Sequence, residues 1–169
     1  MGFAYDKYVT YEALDRIVAS TRGNILMRAI ALDPVIIEKY GLGLEELEDE
    51  SLADASFAAF ENDVENRKSM SSSYFEMDKD GIECKISLYT PNLVFFSVPY
   101  DEGFTAYVNG EEAEIIEVNY GLCAVYAPRG DNEIIFTYRA KGLNLGIAVS
   151  CCAVAVYAVY VVYNKKKRT

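Results

Sequence analysis

The chain has 169 residues, 51% of them apolar, with 16 Lys+Arg against 26 Asp+Glu, a net charge of −10 at pH 7 and no His. An acidic surface of this kind repels a phosphate backbone, which excludes nucleic acid as a partner and argues against lying on anionic lipid. The absence of His removes the usual general base and the commonest zinc ligand.

Residues 1–68 read as a mainly helical segment. Thr10 is an N-cap for a helix over 11–19, with Glu12 in its first turn and Ala13, Leu14, Ile17 and Val18 forming one apolar stripe. A second stripe, Ile25, Leu26, Ala29, Ile30 and Leu32, ends before Pro34, and Asp33 is its natural boundary because the residue ahead of proline avoids helical geometry. Ile36, Ile37 and Tyr40 then run to Gly41-Leu42-Gly43. The acidic run Glu45, Glu46, Glu48, Asp49 and Glu50 reads as a solvated helix face or loop. It lacks the spaced oxygens and fixed glycine of a calcium loop.

From Ser71 the apolar period changes to two. Residues 73–77 and 81–88 alternate as half-buried strands do, and 92–100 (NLVFFSVPY) is a denser apolar run suited to the middle of a sandwich. Strand 104–108 leads into Asn109-Gly110, the strongest short-range hairpin signal, because both central residues of a type I′ turn need positive φ. Strands 113–118, 122–127 and 133–138 complete the set, separated by Asn119-Tyr120-Gly121 and Pro128-Arg129-Gly130. The fold class is therefore α+β: a helical N-terminal segment, an antiparallel β-sandwich of about six or seven strands over 69–141, and one C-terminal transmembrane helix.

That helix is expected over 142–163. Residues 143–163 are uncharged and long enough to cross a hydrocarbon core of ~30 Å. Lys165, Lys166, Lys167 and Arg168 follow at once, which favours a cytoplasmic tail over 164–169 and an extracytoplasmic N-terminal domain. All 26 acidic residues precede Lys141, so the charge is divided along the same line. Tyr157, Tyr160 and Tyr163 lie towards the basic end as an interfacial belt, and Gly146, Ser150 and Val154 give a face on which another helix can pack. The N-terminus has no apolar core of the kind a secretory signal needs. Two readings follow: a tail-anchored protein facing the cytoplasm, or the final piece of a polytopic protein whose upstream helices set the topology. Cys84 and Cys123 fall in expected strands, as a disulfide or as two buried thiols; Cys151 and Cys152 sit in the spanning helix as small apolar residues.

Leu93–Ser97 with Pro99-Tyr100-Asp101, Gly103-Phe104, Tyr107-Val108-Asn109-Gly110, Val118-Asn119-Tyr120-Gly121 and the lead from Ile135-Phe136-Thr137-Tyr138 to Gly142-Leu143 form a connected pattern. It closely resembles the C-terminal region of the YfhO family of bacterial membrane proteins. Phe3-Ala4-Tyr5-Asp6-Lys7-Tyr8-Val9-Thr10 and residues 26–33 look like the preceding part of the same ectodomain. The resemblance implies a large polytopic protein similar to GT-C glycosyltransferases, associated with glycosylation of cell-envelope polymers such as lipoteichoic acid. Where the family usually carries Trp after the turn glycine, this chain has Phe104, which keeps the apolar surface and loses the indole donor. The family's catalytic acids lie in an early loop of a multi-helix bundle that this sequence does not contain, so no catalytic position carries over.

Asp101 and Glu102, beside Tyr100 and Gly103, are the carboxylates that most invite a chemical role. Glycoside chemistry needs two carboxyls across a sugar, which adjacent residues in one turn do not supply. A turn-forming role for Asp101 is the expectation. No catalytic, cofactor-binding or metal-binding residue is assigned, and no cofactor. The expected partners are membrane lipid, other transmembrane helices of a split or full-length YfhO-like protein, and envelope glycan. Three roles stand: a non-catalytic module of such a glycosyltransferase, a free-standing glycan-binding or structural module of the envelope, and a non-functional remnant.

Overall fold

A computed structural model describes residues 1–47, 56–79 and 81–168. It divides into two compact units, Met1–Tyr138 and the residues from Arg139 onward. The helices are α1 (Tyr11–Asp15), α2 (Ala19–Arg28), α3 (Pro34–Tyr40), α4 (Phe57–Ser69) and α5 (Leu143–Arg168). Short strands β1 (Gly2–Ala4), β2 (Lys7–Val9), β3 (Ile30–Ala31) and β4 (Glu45–Glu46) interleave with the first three helices. After α4 come β5 (Tyr74–Met77), β6 (Gly81–Leu88), β7 (Asn92–Pro99), β8 (Phe104–Val108), β9 (Glu111–Ala113), β10 (Ile115–Val118), β11 (Leu122–Ala127) and β12 (Gly130–Tyr138).

Two antiparallel sheets form the sandwich, in the orders β1-β7-β11-β10 and β5-β6-β12-β8-β9. Their facing sides enclose Ile82, Cys84, Ile86, Val94, Phe96, Cys123, Val125, Ile134 and Phe136. Phe96 and Phe136 meet edge to face, with ring centroids 4.8 Å apart. β6 buries Ile82, Cys84, Ile86 and Leu88 and turns Glu83, Lys85 and Ser87 outward, the alternation of a sheet covered on one face only. β7 is covered on both faces. Val94 and Phe96 point into the sandwich, while Leu93 and Phe95 pack with Tyr5, Ile30, Leu32 and Leu42 in a second core. That double burial is the physical reason for its dense apolar run.

The second core belongs to an outer layer built from α1–α3 and a parallel sheet ordered β3-β2-β4, in which Val9 pairs with Ala31 and Lys7 with Glu45. Asn119 ties this layer to the sandwich. Its Oδ1 accepts from the Ala31 N–H at 2.6 Å and its own N–H donates to the Ala31 carbonyl at 3.0 Å. The backbone reaches this position because Asn119, Tyr120 and Gly121 all have positive φ, 50°, 61° and 115°.

The expected local signals hold at several points. Thr10 caps α1, its side chain accepting from the Ala13 N–H at 3.2 Å. Asp33, expected only as the boundary at which a stripe ends, is the N-cap of α3 through the Val35 N–H, and Gly41 closes that helix at φ 59°. Asn109-Gly110, at φ 54° and 85°, joins β8 to β9 as a two-residue hairpin.

Other expectations are corrected. The helix expected over 11–19 stops at Asp15, because Val18 is extended and starts α2; the Arg22 guanidinium bonds the freed Asp15 and Ile17 carbonyls. Ile30 and Leu32 do not continue a helical stripe, since Ala29 is extended and Ile30 enters β3. Residues 113–118 are not one strand: the chain leaves the five-stranded sheet after Ala113, turns at exposed Glu114 and enters the other sheet as β10. With β1, this brings the described sandwich to two more strands than expected. Of the acidic run, Glu45 and Glu46 form β4, while Glu48, Asp49 and Glu50 lie outside the described residues.

In the second unit, α5 contains a candidate membrane span, Leu143–Lys167 (25 residues), in which an 18-residue window has a mean hydropathy of 2.3. At a rise of about 1.5 Å per residue it exceeds the ~30 Å hydrocarbon core.

Candidate functional site

α4 supplies one wall of a polar cleft in the first unit. Ser56 caps the helix by accepting from the Ala59 N–H at 3.2 Å. Asn62 and Asn66, and likewise Asp63 and Arg67, stand four residues apart and so share a helix face. Asp6 and Lys7 at the start of β2 and Arg28 at the end of α2 supply the rest of a cavity of about 290 Å³.

Arg67 organises it. The side chain is buried at 6% exposure, donates to the Ala4 carbonyl and the Asp6 carboxylate, and lays its guanidinium 4.4 Å from the centre of the Tyr5 ring. Among the described residues its Nε–H has no hydrogen-bond partner. Arg28 donates from Nε to Asp63 Oδ2 at 2.9 Å, with both side chains nearly buried. The Lys7 ammonium lies 3.5 Å from Glu45. Burial pushes the Tyr5 hydroxyl up to about 12, and it remains a neutral donor, bonded to the Leu26 carbonyl at 2.7 Å. Both cleft carboxylates are engaged by arginines, and the two asparagine amides present donors and acceptors together. The arrangement is suited to holding a polar, hydroxyl-bearing ligand by paired hydrogen bonds.

Sequence reading had no access to this cleft. An Asp63–Arg67 pair at i,i+4 has the pattern of a solvated helix face, and only the tertiary structure buries it. α4 offers no apolar stripe to point to it: Phe57 and Phe60 are exposed, and Asp63 and Arg67 are the buried residues.

The residues singled out from sequence lie elsewhere. Asp101 makes a turn: its Oδ1 accepts from the Gly103 N–H at 2.6 Å and its carbonyl from the Phe104 N–H at 3.1 Å. Cys84 and Cys123 are free thiols in the sandwich core, not a disulfide. Burial pushes Cys84 up and Cys123 up to about 11, the latter helped by the Asp101 and Glu117 charges, so neither is a thiolate nucleophile at neutral pH. Glu45 pairs with Lys7, and Glu46 accepts from the Tyr8 hydroxyl at 2.9 Å. Tyr157, Tyr160 and Tyr163 are exposed along α5, and space is open around Gly146. Among the described residues no group of three Cys, Asp or Glu side chains is arranged to hold a metal ion.

Comparison with known proteins places the chain, though not the geometry of this cleft, in a family. The family described as bacterial membrane protein YfhO matches residues 43–150, from just before β4 into the first turns of α5. A curated relative, the uncharacterized protein YfhO of Bacillus subtilis (strain 168), is 21% identical over 159 residues, which cover 94% of this chain. The chain spans about 18% of that relative's length. No solved structure matches it. With the family match extending across the sandwich and into an apolar helix fit to cross a bilayer, the chain belongs to the YfhO family of bacterial membrane proteins.

Proposed function

We propose that this chain is the extracytoplasmic module and last transmembrane helix of a YfhO-like, GT-C-type glycosyltransferase acting on a cell-envelope polymer of the lipoteichoic acid kind. On this reading it has no catalysis of its own. Its first unit holds the acceptor glycan near the membrane, and α5 packs with the helices that carry the chemistry. Residues 164–169 lie in the cytoplasm.

The observation that carries the proposal is the polar cleft, built from Asn62, Asn66, Asp6 and Arg67, in a folded unit joined to a spanning helix by residues 139–142 alone. The amides of Asn62 and Asn66, each a donor and an acceptor, match vicinal hydroxyls in pairs, while Arg67 and Asp6 hold each other in place beside them. The share of the curated relative covered by this chain leaves ample length for a helical bundle in the longer protein.

The test is genetic and chemical. In the parent bacterium, deleting the chain or replacing Asn62 and Asn66 with Ala is expected to deplete sugar substituents on extracted envelope polymer. Unchanged substitution in both strains refutes the role. The purified chain in lipid nanodiscs is expected to transfer no sugar from lipid-linked donors, and transfer refutes the non-catalytic assignment. Orientation is read by Tyr89→Cys, at a site 93% exposed, against a background of buried Cys84 and Cys123. Labelling of intact cells by an impermeant maleimide is expected, and labelling only after lysis reverses the topology.

A further inference from the structure

α4 is packed as the reverse of an amphipathic surface helix. Its buried residues are Asp63 and Arg67, while its two aromatic residues, Phe57 and Phe60, are 73% and 41% exposed. A polar pair inside and large apolar rings outside are the two departures from ordinary burial that carry information. Phe60 stands beside the cleft: it directly follows Ala59 and precedes Asp63 by one turn, and both of those residues line the cavity. Side chains three apart on a helix are neighbours, so Phe60 flanks the cavity wall at its rim, and Phe57 extends that rim by another turn.

The charged groups of the cleft neutralise one another. Asp6 accepts from Arg67, Asp63 from Arg28, and Lys7 lies beside Glu45. Asn62 and Asn66 are exposed, and among the described residues their side-chain amides have no hydrogen-bond partner. The groups left for a ligand are therefore uncharged: two amides, each a donor and an acceptor, and an aromatic face beside them. A pyranose ring uses both kinds at once. Its hydroxyls pair with amides along one edge, and its C–H bonds present a weakly positive face to the negative face of a phenyl ring. A phosphate group has no apolar face and brings a charge that two amides do not compensate.

We infer that Phe60 is the stacking residue of this cleft and that the ligand unit it selects is an uncharged pyranose ring, not a phosphate group. The inference rests on the cleft being the glycan-holding site proposed above. Its consequence is a division of roles. Asn62 and Asn66 distinguish sugars by the arrangement of their hydroxyls, while Phe60 supplies affinity that depends only on a flat C–H face.

The full chain in lipid nanodiscs is titrated with the methyl β-glycosides of glucose, galactose and N-acetylglucosamine and, separately, with glycerol 3-phosphate, and binding is followed by saturation-transfer NMR. The wild type is expected to bind at least one glycoside, with transfer strongest at the C–H protons of one ring face, and not to bind glycerol 3-phosphate. Phe60→Leu keeps apolar bulk at an exposed site but has no flat face; it is expected to weaken binding about threefold to tenfold, and Phe60→Tyr to retain it. Circular dichroism checks that each variant keeps the wild-type fold. The chain has no Trp, so Phe60→Trp gives a single reporter whose emission is expected to shift on addition of the glycoside, with Tyr89→Trp, at a site 93% exposed, unchanged. Binding lost on replacing Asn62 and Asn66 with Ala but unchanged in Phe60→Leu overturns the stacking role and leaves the polar cleft standing. Weakening in Phe60→Leu with binding intact in the double Asn variant moves the site off the cleft and overturns the inference. Binding of glycerol 3-phosphate in place of the glycosides overturns the pyranose assignment, and no glycoside binding by the wild type overturns both the inference and the reading beneath it.

Discussion

Asn119 joins the sandwich to the outer layer through one residue, and its replacement separates two physical contributions. In Asn119→Gly the positive φ is retained but the Oδ1 acceptor is lost, so the Ala31 N–H, on a fully buried residue, has no partner. A buried donor left unsatisfied costs about 1–3 kcal/mol. In Asn119→Ala the same bond is lost, and a Cβ without a compensating local hydrogen bond is forced to φ 50°. That adds about 1 kcal/mol beyond the glycine variant. The expected order of stability is wild type, then Gly, then Ala, with Ala about 2–4 kcal/mol below wild type. Against a total of roughly 5–15 kcal/mol, that is a large fraction of the stability of a domain. Urea unfolding of the full chain in detergent, followed by near-ultraviolet circular dichroism, reads the difference as a shift in midpoint at constant slope. An alanine variant as stable as wild type, or more stable than the glycine variant, refutes the assignment of both the bond and the strain.

Gly81→Ala is expected to prevent the wild-type packing, because a Cβ at φ 148° would lie 1.9 Å from the Phe136 carbonyl oxygen; proteolytic sensitivity of the sandwich checks this. Arg67→Lys is expected to cost about 2 kcal/mol, since one ammonium does not replace a fork bonded to both Ala4 and Asp6, and thermal unfolding measures it. Cys123 makes stability depend on pH. Its thiol is held neutral up to about 11 in the fold but ionises near the ordinary value of 9 when unfolded. The unfolded chain therefore binds fewer protons above pH 9, and the stabilisation present below that pH is lost as pH rises towards 11. The loss is expected to be smaller in Cys123→Ala, compared by unfolding at pH 8 and pH 10.5.

Much of the fold was legible because its signals are local. Period-two alternation exposes β6 and β12, a single Asn-Gly pair specifies the β8–β9 hairpin, and Thr10 marks the start of α1. The C-terminal helix long and apolar enough to cross a membrane is clearest of all, since its length and hydropathy do not depend on any partner. The cleft was not legible. Asp63 and Arg67 have the spacing of a surface pair, and Asp6 and Arg28 reach them only through packing.

By itself, then, the sequence determined an α+β chain with an antiparallel sandwich, its capped helices and one apolar span followed by basic residues. Tertiary structure decided what depends on distant partners. β1 is a strand because three residues near the N-terminus pair with β7, with Phe3 opposite Phe95, and nothing in Gly2–Ala4 carries a periodic signal of its own. Residues 113–118 divide between two sheets because each half finds a different neighbour, β8 or β11. Arg67 is buried because Ala4, Tyr5 and Asp6 surround it from far along the chain. Local propensity is set by adjacent residues, whereas pairing and burial are set by the fold as a whole.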